Sequence, residues 1–206
     1  LFKHEMVICL RCKLHLPVTH YLQVSDNPAA KVFWGRVEMT HCFTYLHYKK
    51  GNATQKLIHQ LKYRGRKDAG IFLGEAFGKY IKSVHPGQMF DCLVPVPLHP
   101  DKQRSRGYNQ SAVIATGLSE KLNIPVLEHV LIRNKRTATQ TKKTRYNRWE
   151  NVEGIFAVTD SAKISGKHIA IIDDVITTGS TIESCCMALR KSADVCISAL
   201  AIGSSR

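Results

Sequence analysis

The stretch IAIIDDVITTGST, residues 169–181, limits what this chain can fold into more than any other. Ile169, Ala170, Ile171 and Ile172 read as a buried strand, and Asp173 and Asp174 stand at its carboxyl end. Thr177, Thr178, Gly179, Ser180 and Thr181 then form a small, hydroxyl-rich turn before an apolar-periodic segment. A strand, a phosphate-sized turn and a helix N-terminus make an anion site, because free N–H groups and the helix dipole face the ligand. Gly179 lets the backbone approach closely, and the hydroxyls add donors. A plain strand-to-helix turn with a Ser/Thr cap explains neither the paired acids nor the run of hydroxyls. Acceptors for sugar hydroxyls beside a phosphate cradle point to a ribose 5-phosphate group.

The rest of the chain supplies a matching frame. Residues 91–96 and 195–202 read as short apolar strands, and residues 130–132 and 155–158 are weaker candidates. Helical periodicity covers residues 54–63, 69–82, 110–122 and 181–191. A strand is also expected within 38–48, closed by a turn at Lys49, Lys50, Gly51 and Asn52. Alternating strands and helices imply a parallel sheet covered on both faces, with ligands at the carboxyl ends of the strands. Residues 1–37 differ in composition and are expected to be a small N-terminal module with a linker, leaving 38–206 as the main domain. With 206 residues, 44% hydrophobic and 22% charged, the chain fits one sizeable globular domain with an appendage. No apolar run approaches the roughly 18 residues of a membrane span.

A second motif is VPVPLHPDKQRSRGYNQS, residues 94–111. A strand runs into a proline-stiffened loop carrying Lys102, Arg104 and Arg106, and Gly107 to Gln110 open a helix. Fixed cations at a strand end suit a pyrophosphate. The first motif resembles the phosphoribosyl-pyrophosphate signature of type I phosphoribosyltransferases. The second resembles the ComF family, competence-associated proteins also described as GntX-like or amidophosphoribosyltransferase-like. QKLIHQLKYRGRKDAG (residues 55–70), RTATQTKKTRYNRWENVEGIF (136–156) and the Cys9–Cys12 pair agree with it in order. The resemblance implies an α/β fold of the type I phosphoribosyltransferase kind, a parallel sheet flanked by helices, with a small N-terminal zinc-ribbon-like module. It implies that Asp173 and Asp174 contact ribose hydroxyls, that residues 177–181 hold the 5-phosphate, and that Leu98 and His99 border pyrophosphate.

The resemblance also frames the reaction. Pyrophosphate would leave the ribosyl carbon through an oxocarbenium-like transition state, with Mg²⁺ neutralising charge on the leaving group. Arg104 and Arg106 are candidate pyrophosphate partners. The other reading is a non-catalytic protein of DNA uptake that binds single-stranded DNA and a partner helicase, the context in which the family is known. A glutamine-using amidophosphoribosyltransferase is a weaker third reading, because no glutaminase domain stands in this sequence.

The formal net charge of +14 favours polyanionic partners, and it is large for one small ligand. Residues 133–148 hold seven cations and no acid. Lys142, Lys143, Arg145, Arg148 and the neighbouring Trp149 suit either a loop closing over substrate or a single-stranded nucleic-acid surface. Cys9 and Cys12 have the spacing of half a structural Zn²⁺ site. Leu1 stands where a natural start would have Met, so the remaining ligands are expected upstream. His4, His15, His20, His41 and Cys42 are conceivable substitutes. Seven cysteines, an odd number, and no visible secretory signal lead us to expect a reduced, cytoplasmic compartment, with Cys185, Cys186 and Cys196 as small core residues.

Overall fold

A computed structural model describes residues 7–134 and 155–205. Its centre is a four-stranded parallel sheet in the order β1–β6–β5–β2. The strands are β1 (Cys42–His47), β2 (Cys92–Pro95), β5 (His168–Ile176) and β6 (Cys196–Ser204). Helices cover both faces, as the alternating pattern requires. On one face lie α3 (Ala53–Tyr63), α4 (Lys67–Val84) and α6 (Gln110–Leu122), packed on Ala170, Ile172, Leu200 and Ile202. On the other lie the short α2 (Pro28–Lys31) and α7 (Ser180–Ser192), packed on Ile169, Ile171, Ile197 and Ala199. From Ile169 to Ile172, alternate residues of β5 therefore belong to different cores, the period-2 rule of a strand buried on both sides.

Several expectations change in detail. The strand at 169–172 runs on to Ile176, so both acids lie inside β5. The apolar run stops at Ile172, yet the ladder to β6 continues through Asp173–Ala201, Val175–Gly203 and Ile176–Ser204. The weak strands β3 (Leu131–Arg133) and β4 (Phe156–Val158) do not join the parallel sheet. They pair with each other, antiparallel. The basic loop after β2 contains a seven-residue helix, α5 (Pro100–Arg106), started by Pro100 at its first position and ended by Gly107 at φ 77°. Cys185 and Cys186 are buried, but Cys196 is exposed, because it begins β6 at the sheet margin.

The segment before residue 38 packs on the domain. Val18 bridges Leu46 antiparallel to the β1 edge, and Leu16 and Leu22 join the α3–α4–α6 core. Residues 10–14 form a further short helix, α1 (Leu10–Leu14), with no buried residue.

Helices α4 and α6 meet backbone to backbone. A Cβ on Gly74 would lie 2.2 Å from the Ile114 carbonyl oxygen, and one on Gly117 would lie 2.2 Å from that of Ile71. Only glycine allows this approach, which holds α6 in place and with it the helix N-terminus that faces Asp173. Gly74→Ala or Gly117→Ala should destabilise the domain by about 1–3 kcal/mol or more through overpacking. Urea denaturation measures this, and an unchanged midpoint would contradict the close crossing.

Candidate functional site

The site forms where two neighbouring strands send the chain in opposite directions. From β2 the chain moves outward, where residues 125–127 pair with Leu93 at the sheet edge. From β5 it moves inward to β6 through α7. The loops after β2 and β5 therefore diverge and leave a crevice at the carboxyl ends, where ligands bind in sheets of this kind.

The turn after β5 is an open cradle. Thr177, Thr178, Ser180 and Thr181 are exposed, and Gly179 is buried. The backbone N–H groups of residues 177–181 donate to no group among the described residues. Gly179 caps α7 at φ 75°, and a Cβ there would lie 2.7 Å from both Phe33 and Val32. Both the left-handed backbone and the packing of Val32 and Phe33, which follow α2, thus require glycine. Glu183, in the first turn of α7, is held by Arg36.

The two acids have different surroundings. Asp174 is 4% exposed, and its Oδ1 accepts from Lys62 Nζ of α3 at 2.7 Å. Its Oδ2 is buried with no hydrogen-bond partner among the described residues. Asp173, half-buried, accepts at Oδ1 from the Asp174 N–H at 2.8 Å and from Ser111 Oγ of α6 at 3.3 Å. Burial, then the neighbouring Asp174 charge, push the Asp173 carboxyl up to about 7, against the Asp174 N–H, Lys62 and Ser111. Asp174 thus rests on Lys62, while the proton affinity of Asp173 is raised, as expected of a carboxyl beside another acid in low dielectric.

Across the crevice, Asn109 locks α6 to β2. Its side chain donates to the Val96 carbonyl at 2.9 Å and accepts from the Ser111 N–H at 3.0 Å. Leu98 and His99 lie half-buried in the loop after β2, and His99 caps α5. Arg104 is exposed and pairs with Asp101 of its own helix. Arg106 bonds Gln110 and lies 5.7 Å over the Tyr63 ring. Neither arginine reaches Asp173, Asp174 or the 177–181 turn by a hydrogen bond or ion pair. Lys142, Lys143, Arg145, Arg148 and Trp149 lie outside the described residues.

Cys9 and Cys12 are exposed and share hydrogen bonds, which lower the Cys9 thiol and raise that of Cys12. Two thiols in reach of one another fit half of a Zn²⁺ site. No third His, Cys, Asp or Glu completes a metal-holding group with them among the described residues. Cys42 is buried in the core below α2, so it is no substitute ligand for this pair.

Lys62 and Ser111 stand in motifs that the sequence singles out, but neither is assigned a site role there, and Arg36 lies before the expected domain boundary, 144 residues from Ser180. Only the fold brings them to the acids and the turn.

Because the Asp173 proton is held more tightly in the folded state, stability is greatest below pH 4 from this group and falls as pH rises towards 7. Asp173→Asn should remove that decline and stabilise the protein at neutral and higher pH. Thermal unfolding from pH 5 to 8 measures the slope, and a variant with the wild-type slope would contradict the assignment.

Among the described residues no helix is long and apolar enough to cross a membrane. The family described as phosphoribosyl transferase domain matches residues 109–201, which span α6 to β6 and contain the cradle. Competence protein F of Haemophilus influenzae is 36% identical over 111 residues, 53% of this chain and 48% of that protein, so the match spans about half its length. DNA utilization protein YhgH of Escherichia coli (strain K12) is 30% identical over 183 residues, 86% of this chain and 75% of that protein. Among solved structures, the glutamine phosphoribosylpyrophosphate amidotransferase of B. subtilis superposes with a TM-score of 0.45 at 20% identity, covering 68% of this chain and 30% of that one. The chain belongs to the ComF family of competence and DNA utilization proteins, and residues 109–201 are its phosphoribosyl transferase domain.

Proposed function

We propose that the crevice binds phosphoribosyl pyrophosphate and transfers its phosphoribosyl group to an acceptor, releasing pyrophosphate. The observation that carries this reading is the pairing of an open cradle of unpartnered N–H groups with two acids one strand-end away. The 177–181 turn would take the 5-phosphate on its backbone donors and hydroxyls. Asp173, the less buried acid, would accept from ribose hydroxyls. Asp174 would stay on Lys62 and hold the Asp173 carboxylate in place through its own N–H. Binding at the remote phosphate end orients the reacting carbon, so that binding energy goes into reaching the transition state. The carboxylates beside the ring would favour positive charge developing there.

Mg²⁺ would supply neutralisation of the departing pyrophosphate, and the exposed hydroxyls and the half-buried carboxylate of Asp173 are hard oxygen donors of the kind it takes. Leu98 and His99 would border the pyrophosphate from the loop after β2. A structural Zn²⁺ would use Cys9 and Cys12 with ligands from outside the described residues.

A second reading is binding of single-stranded DNA, favoured by the net charge of +14. Tyr63 under Arg106 and Tyr108 under Lys67 form a cationic, aromatic surface beside the crevice. Fluorescence anisotropy of a labelled oligonucleotide should show affinity falling steeply with salt. Absence of binding at low salt would remove this reading alone.

Asp173→Asn tests the first reading, because the substitution stabilises the fold while removing a ligand acceptor. Asp174→Asn is a poorer probe, since it strands Lys62 beside a buried site at about 3–5 kcal/mol. Calorimetry should show Mg²⁺-dependent binding of phosphoribosyl pyrophosphate to the wild type, weakened by about 1–3 kcal/mol in Asp173→Asn. Equal affinity in the two proteins would contradict the role of the acid. No heat with the wild type would contradict the reading.

A further inference from the structure

The cradle has an outer wall made by the segment before β1. Asn27 is 1% exposed and ties this wall down. Its Oδ1 accepts from the Ala29 and Ala30 N–H groups at 3.0 and 2.9 Å, and its Nδ2 donates to the Val24 and Cys42 carbonyls at 2.9 Å each. α2 is thereby fixed to β1, and the residues that follow it, Val32 and Phe33, close on Gly179. The chain then reverses, with the Arg36 and Val37 N–H groups donating to the Phe33 carbonyl at 3.0 and 3.1 Å.

The reversal sends the Arg36 side chain back over the turn. Nη1 donates to the Val32 carbonyl at 3.1 Å and to the Thr178 carbonyl at 2.7 Å. Nη2 reaches Ser180 Oγ at 3.4 Å and the Glu183 carboxylate. One guanidinium thus joins the wall, the turn and the first turn of α7.

Two consequences follow from elementary chemistry. In a trans peptide the C=O and the next N–H point to opposite sides. A Thr178 carbonyl held on Arg36 therefore turns the Gly179 N–H away from Arg36, to the open side of the cradle. That N–H has no acceptor among the described residues. The second consequence concerns charge. Glu183, its side chain 14% exposed, sets a negative charge beside the place an anion would occupy, and Arg36 cancels it there. A planar fork satisfies a carbonyl and a carboxylate together, which a lysine ammonium does poorly.

We propose that Arg36 is a positioning residue of the phosphate cradle, aiming the Gly179 N–H at the ligand phosphate and neutralising Glu183 beside it. The proposal rests on the phosphoribosyl reading of the site. It makes the segment before β1 a working part of that site.

The test uses ribose 5-phosphate as the probe, calorimetry for affinity and the amide resonance of Gly179 for geometry, with thermal unfolding as the check on folding. Arg36→Gln should weaken binding about tenfold or more, the loss expected for charge-assisted contacts. It should also shift the Gly179 amide in the ligand-free protein. Arg36→Lys keeps the charge and loses the fork, so it should fall between the two and serves if Arg36→Gln does not fold. The double variant Arg36→Gln, Glu183→Gln should recover part of the lost affinity, because the uncancelled charge is gone. A folded Arg36 variant with wild-type affinity and an unmoved Gly179 amide overturns the inference alone. A wild-type protein that binds no ribose 5-phosphate overturns this inference and the phosphoribosyl reading together.

Discussion

The site depends on β5 continuing as a strand through two adjacent acids. Its second half stays paired with β6, through Ile172 opposite Leu200, Asp173 opposite Ala201, Val175 opposite Gly203 and Ile176 opposite Ser204. The small residues Ala201 and Gly203 stand opposite Asp173 and Val175, so the ladder continues where a polar sequence would usually fray. The two carboxylates meet different partners, Ser111 of α6 for Asp173 and Lys62 of α3 for Asp174.

That difference in partners explains the electrostatics. Asp174 faces α3 and is tolerated in the core because Lys62 meets it at 2.7 Å. A buried pair of this kind adds little net stability, but losing either member is severe. Asp173 meets the N-terminus of α6 through Ser111, and burial together with the Asp174 charge raise its proton affinity. The pair therefore offers one carboxylate tied to Lys62 and one group that changes charge near neutral pH. Directly beyond them, the chain turns into free N–H groups, and the positive end of α7 begins. Acceptors and donors are thus presented side by side along one crevice.

Much of this was legible in the sequence because it is local. The apolar run of β5, the run of small hydroxyl residues after it and the 3.6-residue period of α6 each act within one element. α6 occupies the residues its periodicity indicates, 110–122. The apolar run marks only the first half of β5, because a ladder partner, not hydrophobicity, carries the strand past Ile172. The antiparallel pairing of β3 with β4 was not legible, because three-residue apolar runs do not reveal their partners. The helix α5 was hidden by prolines that read as loop, although Pro100 sits where a helix accepts it. The roles of Lys62 and Arg36 were not legible for another reason. Their roles come from α3 and the α2 wall being folded against a strand more than 100 residues away.

The central claim is that a phosphate group sits on the N–H groups of residues 177–181. The most direct measurement is an amide NMR titration with ribose 5-phosphate, followed residue by residue. The account predicts saturable shifts concentrated at Thr177, Thr178, Gly179, Ser180 and Thr181, with a smaller response at Asp173 and Ser111. Saturable binding whose shifts leave these five amides unmoved would contradict it.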